Sequence, residues 1–452
     1  MRHRMNKYTC ALAIFIGCLF SMFTLRELRA RLAGQTTFSE LEEKDNTITA
    51  HELPEVKHVP ADDTCDLNTT KHIPESDSGD SKTILNRFKA RFNVLDTICS
   101  ASKERSAYTD CDEENVKRNL KYSKHRKLVY CAIEKTGSTF WKRILYIIGG
   151  KSNVSNPTHI ETVRAEYSEE RFCDMTDKTW GEIRDIFMKS TNIMFVRHPY
   201  ARLFSAWLDK FYSPNIIYWN STGKAIAQSQ RGEKEQKCAN DITFTEFVNY
   251  TVDNILYGNT CIDRHFSPNF VHCNPCELSY DYIGKYETMK QDTLFILQAL
   301  NLTGTVTFSQ FDEDAASDAI KDAADWVYYQ RDNIQGCGIT FNCALFRVWK
   351  RLQSRGIISI SIGFPFRNKE NATSREDFEK ALREAHIGSD AEELKRNKHK
   401  AMTQALMSLP ENIKEKVLKA YERDFDMFEY DRYVDMTLQS NETFFTDCPT
   451  DL

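Results

Sequence analysis

The sequence predicts an α/β fold in which a central parallel sheet is flanked by helices, preceded by a membrane anchor and a stem. Three stretches carry that expectation. LVYCAI, residues 128–133, is a short apolar run followed by TFWKRILYIIGG, whose spacing is helical and which stops at Gly149 and Gly150. NIMFVRHPYARLFSAWLDKF, residues 192–211, repeats the order: an apolar strand, a turn at His198 and Pro199, then a helix with Leu203, Phe204 and Trp207 on one side. LSYDYIGKYET ahead of QDTLFILQALNL is the third such unit. Strands that alternate with helices pair in parallel and bury both faces of the sheet.

Residues 8–25, YTCALAIFIGCLFSMFTL, carry no charge and as a helix would span about 27 Å, close to a bilayer core. Arg2, Arg4 and Lys7 precede the run, which assigns residues 1–7 to a cytosolic tail and the rest to the lumen of the secretory pathway. The run exceeds the apolar part of a usual signal peptide and no clean A-x-A site follows, so an uncleaved anchor is expected. Residues 26–125 are polar, with acidic stretches such as SELEEKD and ESDSGD, and read as a flexible luminal stem; Ile84 to Leu95 has the spacing of a short helix. The folded luminal domain is expected at 126–437, ending in the helical pattern LPENIKEKVLKAYERDFDMF, with a C-terminal tail at 438–452.

Seven N-x-[ST] sequons, at Asn68, Asn153, Asn220, Asn249, Asn301, Asn371 and Asn441, suit a luminal face. Of the 14 cysteines, Cys10 and Cys18 fall in the anchor, and the remaining even number predicts disulfides in an oxidising compartment. A net charge of −5 over 452 residues lacks the basic excess of a nucleic-acid binder.

The loop EKTGSTF, residues 134–140, joins a strand to a helix, so backbone N–H groups and the helix N-terminus point at one spot and favour an anion. Lys135 adds a cation, and Ser138 and Thr139 add hydroxyl donors. The lysine precedes the glycine, unlike the G-K-[ST] order of a nucleotide triphosphatase. Gly, Ser and Thr are also ordinary cap and turn residues. The second unit strengthens the reading, because Arg197 at a strand end and Ser205 in the following helix can hold a second phosphate.

VYCAIEKTGSTFWKR, FVRHPYARLFSAWLDKF and HFSPNFVHCNPCELSYDYIGKYET, in that order, resemble the signature blocks of the Golgi carbohydrate sulfotransferases, specifically the chondroitin, dermatan and N-acetylgalactosamine 4-O-sulfotransferase-like group. The likeness covers roughly residues 126–432. It implies a P-loop-like sulfotransferase fold that binds 3′-phosphoadenosine 5′-phosphosulfate without a metal, and a sugar hydroxyl as acceptor on a chondroitin- or dermatan-like chain or on a glycan ending in N-acetylgalactosamine or glucuronic acid. Glu134, Lys135, Thr136, Gly137, Ser138, Thr139 and Phe140 then correspond to the 5′-phosphosulfate loop, with Lys135 stabilising the departing oxygen. Arg197 and Ser205 correspond to the 3′-phosphate contacts. His265, in RHFSP, matches the histidine of the family's H-W-x-P block and is the candidate base; Glu287, in KYET, is its rival. The implied place is the Golgi membrane, single-pass type II, with the catalytic domain luminal.

The chain departs from the family pattern at Glu134, where a proline usually precedes the lysine, and at Ala201, where a glutamate is usual. Cys273 and Cys276, in CNPC, are expected in disulfides, since a zinc site would need a second pair. Cys131, inside the first strand, reads as a buried thiol. The runs KYSKHRK at 121–127 and KRNKHK at 395–400 read as solvated faces or as attraction for a polyanionic glycan. Two other readings compete: an inactive glycan-binding protein on the same fold, and a Golgi glycosyltransferase using a D-x-D motif, for which Asp110/Asp112, Asp312/Asp314 and Asp424/Asp426 are the matches.

Overall fold

The computed structural model describes residues 79–101, 110–150, 152–167, 175–232, 237–258, 261–367, 374–433, 443–446 and 448–449. The expected anchor at 8–25 and the sequons Asn68, Asn371 and Asn441 lie outside them. Among the described residues no helix is long and apolar enough to cross a membrane.

Four strands form one sheet in the order β1 (Leu120–Ser123), β2 (Leu128–Cys131), β3 (Thr191–Val196) and β4 (Tyr282–Lys285). β2, β3 and β4 run parallel, as the three sequence units predict. β1 corrects the expectation of a purely parallel sheet: it pairs antiparallel with β2, because four residues alone join the two strands and a connection that short can only make a hairpin. Alternation along the strands sends side chains to opposite faces. Val129, Cys131, Met194, Val196 and Ile283 enter one apolar cluster, and Leu128, Tyr130, Ile193, Phe195 and Tyr282 enter another. Both faces are therefore core, which is why these strands read as continuous apolar runs. Two further clusters, around Phe211 and Phe247 and around Leu345 and Trp349, belong to the helical remainder of the chain.

The boundary expected between stem and domain at residue 125 is too late. The Gly79–Ala101 helix packs Phe88 against one face of the sheet and Leu95 against the other cluster. Buried Arg91 binds the Asp292 carboxylate at 2.7 Å and the Ile283 carbonyl at 2.9 Å, which fastens this helix to the end of β4. The short helix expected at Ile84 to Leu95 is thus present and longer, and average polarity hid only its packing on the sheet, because its apolar residues are few and its buried charge is paired. The expected C-terminal tail is also partly fold: Phe444 is fully buried and Cys448 is bonded to Cys343.

The cysteines behave as expected at CNPC, where Cys276 pairs with Cys99 and Cys273 pairs with Cys131. The second bond corrects the reading of Cys131 as a thiol, since the residue on β2 faces the Asn269–Cys273 helix and both sulfurs are out of solvent. Cys238–Cys337 links two more distant segments.

Candidate active site

The carboxyl ends of β2, β3 and β4 are neighbours, so the segments that leave them meet at one edge of the sheet. They carry Lys135, Arg197 and Tyr286. The Arg197 guanidinium lies 4.2 Å from the centre of the Tyr286 ring, and its Nη1 donates to the Lys135 carbonyl at 3.0 Å. The Arg197 Nε is buried without a hydrogen-bond partner, which leaves a donor for a bound group.

In the loop, Lys135 and Gly137 both adopt left-handed backbone, at φ 67° and 86°. Such a conformation is costly for lysine and is held by its surroundings. At Gly137 a Cβ would stand 2.3 Å from the Met289 terminal carbon, so a side chain there would displace the Met289 tip as well as strain the backbone. Gly137 caps the Ser138–Ile148 helix without a side-chain hydrogen bond, and the first N–H groups of that helix are thus not claimed by a cap. Thr136 is fully buried and donates to the Ile133 carbonyl at 2.8 Å, a purely structural use. Phe140 packs on Phe308 and Phe311.

Ser138 and Thr139 do not stand free for a phosphate. The Ser138 hydroxyl donates to Glu134 at 2.9 Å and the Thr139 hydroxyl to Glu166 at 2.9 Å. Lys142 Nζ binds Glu166 at 2.6 Å and approaches Glu134 at 3.6 Å, while Arg264 reaches Glu134 at 3.5 Å. Two carboxylates thus face two cations beside the loop. Burial would raise the Glu134 carboxyl, but Lys142, Arg264, His265 and the Ser138 hydroxyl outweigh it and hold it well below the usual range.

Lys135 Nζ binds Asp209 at 2.8 Å, on a π-helical turn, Leu208–Tyr212, that continues the Pro199–Trp207 helix. Arg351 and Lys210 bind the same carboxylate at 2.8 and 3.3 Å. Burial, only partly offset by Asp209, lowers the Lys135 ammonium to about 8. Ser205 is half-buried on the Pro199–Trp207 helix, one turn before Asp209.

His265 comes to the same region. Its Nδ1 meets Asp263 at 2.7 Å and the Tyr218 hydroxyl at 2.8 Å, and Lys210 lies over the Tyr218 ring at 4.7 Å. A carboxylate on Nδ1 fixes the tautomer whose Nε2 accepts a proton. Burial and Lys210 lower the imidazole below its ordinary value despite Asp263 and Glu134, so it is neutral near pH 7. Arg202 is the brace: its Nε binds the Glu134 carbonyl at 2.9 Å, its Nη2 the Arg264 carbonyl at 2.8 Å, and its Nη1 the Ser267 carbonyl. The loop and the histidine segment are thereby held by one buried guanidinium.

Glu287 is used differently. Its two oxygens accept from the His198 N–H and the Tyr430 hydroxyl, each at 3.0 Å, which makes it a fastening of the β3 and C-terminal segments. The D-x-D pairs lie on helices: Asp110/Asp112 in Asp110–Asn119, Asp312/Asp314 in the first turn of Phe311–Tyr329, and Asp424/Asp426 in Glu422–Met427. Asp424 accepts from the Asn269 and Phe270 N–H groups at 2.6 and 2.9 Å.

Sequence reasoning missed Asp209, Arg202, Asp263, Tyr218 and Glu166. Asp209 follows Ser205 by four positions on a predicted helix and Asp263 stands two before His265, so both had local signals. Glu166 and Tyr218 had none. Of the described sequons, Asn153, Asn220 and Asn301 are exposed, whereas the Asn249 amide donates to Gln230 at 2.8 Å and accepts from Lys416 at 3.2 Å.

A strand-loop-helix edge that gathers Lys135, Arg197 and an uncapped helix N-terminus defines an anion-handling α/β site, and residues 118–327 match the model of the Sulfotransferase family. The match covers less than half of the chain. Its relatives are carbohydrate sulfotransferases: it is 28% identical to carbohydrate sulfotransferase 11 of Mus musculus over 51% of this chain and 66% of that one. It is 30% identical to carbohydrate sulfotransferase 8 of Mus musculus, covering 51% and 54%, and 30% identical to carbohydrate sulfotransferase 9 of Homo sapiens, covering 46% of each. The matched stretch thus spans between 46% and 66% of these relatives' length. No solved structure matches the chain.

Proposed function

We propose that this chain is a carbohydrate O-sulfotransferase that moves a sulfuryl group from 3′-phosphoadenosine 5′-phosphosulfate to a sugar hydroxyl of a glycosaminoglycan or glycoprotein glycan. One observation carries the reading: Lys135, Arg197 and the open N-terminus of the Ser138–Ile148 helix sit at one sheet edge, and Arg202 braces the Asp263–His265 pair against the same loop. These residues fit the donor. The helix N–H groups and Lys135 suit its 5′-phosphosulfate, and Arg197, with an unclaimed Nε, suits its 3′-phosphate.

The donor supplies an activated sulfuryl group. His265 Nε2 takes the proton of the attacking sugar hydroxyl, whose oxygen forms the new bond to sulfur. The bond from sulfur to the bridging oxygen breaks, and Lys135, drawn from Asp209, neutralises the charge left on that oxygen. Positioning and charge stabilisation dominate such a transfer. Glu287 is engaged at both oxygens, which favours His265 as the base.

We assign the protein to the Golgi membrane, single-pass type II, anchored in the lipid bilayer by residues 8–25 with the catalytic domain luminal; the disulfides among the described residues support an oxidising compartment. The acceptor is a chondroitin- or dermatan-like chain or a glycan ending in N-acetylgalactosamine or glucuronic acid. The test gives the purified full chain radiolabelled donor and a panel of desulfated chondroitin, dermatan and N-glycan acceptors. Label should enter at least one product and vanish with Lys135→Ala. Equal background for both proteins would sink the enzymatic reading and leave a glycan-binding protein.

A further inference from the structure

Lys398 belongs to the KRNKHK run on the Ala391–Met407 helix. In the fold its Nζ stands 5.9 Å from the centre of the Tyr286 ring, the ring that Arg197 covers at 4.2 Å. Arg355 follows the Phe341–Ser354 helix. The next residue, Gly356, has φ 67°, and a Cβ there would come within 2.4 Å of the Leu394 carbonyl oxygen and 3.0 Å of Lys398 Cβ. Glycine alone permits that approach. Arg197 and Lys398 therefore share one aromatic ring, and the close approach of Gly356 to Lys398 carries the neighbouring Arg355 to the same side.

Their charge is not matched by a carboxylate of the described residues. Among the described residues, Arg197, Arg355 and Lys398 make no ion pair with a carboxylate. Lys135, by contrast, is matched by Asp209. The field is visible at the Tyr286 hydroxyl: burial would raise it, yet Arg197, Lys398, Arg355 and Lys135 together pull it down to about 8. Like charges collected without a counterion repel one another, and a bound anion relieves that cost.

We propose that Arg355 and Lys398 complete, with Arg197 over the Tyr286 ring, a three-cation cradle for a phosphate monoester, the 3′-phosphate of the sulfuryl donor. The inference rests on the donor reading above and extends the site to two segments beyond the matched residues 118–327. Arg355 and Lys398 are exposed, so the cradle opens to solvent on their side and its substitution leaves the core untouched.

Calorimetric titration of the full chain with adenosine 3′,5′-bisphosphate and with adenosine 5′-phosphate tests it. The wild type should prefer the bisphosphate. The double variant Arg355→Ala/Lys398→Ala should lose about tenfold or more in bisphosphate affinity while adenosine 5′-phosphate changes by less than about twofold, with an unaltered thermal midpoint. Lys398→Arg should keep the preference. An unchanged bisphosphate affinity in the double variant, or equal weakening of both nucleotides, overturns the cradle and leaves the donor reading standing. A raised KM for the glycan acceptor with intact bisphosphate affinity assigns these cations to the acceptor and also overturns it. Wild type that binds neither nucleotide overturns the donor reading itself.

Discussion

In the proposed reaction Lys135 and His265 ask for opposite protonation states, and their surroundings supply both. The ammonium must stay charged and is lowered to about 8; the imidazole must stay neutral and is lowered beneath its ordinary value. Activity should therefore follow a bell in pH. It falls on the acid side as His265 gains a proton, at a pH lowered from the ordinary imidazole range by burial and Lys210, and on the alkaline side as Lys135 loses one near 8. A pH profile of kcat/KM checks this, and His265→Ala should cut kcat by about 10²–10⁴-fold while donor binding persists. Glu134 stands in a proline's place and ties Ser138, Lys142 and Arg264 together. Glu134→Gln should cost about 1–3 kcal/mol of stability, read from denaturant melts, because it leaves buried Lys142 less compensated. The place of Lys135 and Arg197 at the sheet edge was legible because each follows an apolar strand. The ion pair with Asp209 and the role of Glu134 were not, since both depend on which distant side chains the sheet edge brings near.

Each strand-loop-helix unit does one local job. The loop after β2 depends on Gly137, where φ 86° strains any other residue and a Cβ would push the Met289 tip aside. Gly137→Ala should destabilise the protein by about 1–3 kcal/mol and weaken donor binding, measurable by thermal melting and calorimetry together. The three units were readable from periodicity alone, because both faces of their strands are buried and the helices that follow show one apolar side. β1 was not, since LKYS is four residues with an alternating, half-polar pattern that only the neighbouring β2 turns into a strand. The sequons show the same limit: mapping glycopeptides by mass spectrometry should find occupancy at Asn153, Asn220 and Asn301 and little at Asn249, whose amide is engaged at both ends.

The fold as a whole begins earlier than its composition announces. Arg91, Phe88 and Leu95 make the Gly79–Ala101 helix part of the sheet's packing. A chain starting at residue 126 should aggregate or melt without cooperativity, whereas one starting at residue 79 should unfold in a single transition followed by circular dichroism. Cys131 and Cys273 join β2, whose end carries Lys135, to the helix that follows His265. In the proposed reaction, catalytic readiness therefore gains from maturation as well as from sequence. On the proposed roles, oxidation adds a covalent tie to the span between base and leaving-group cation that Arg202 already braces, so a copy kept among reducing thiols should turn over more slowly.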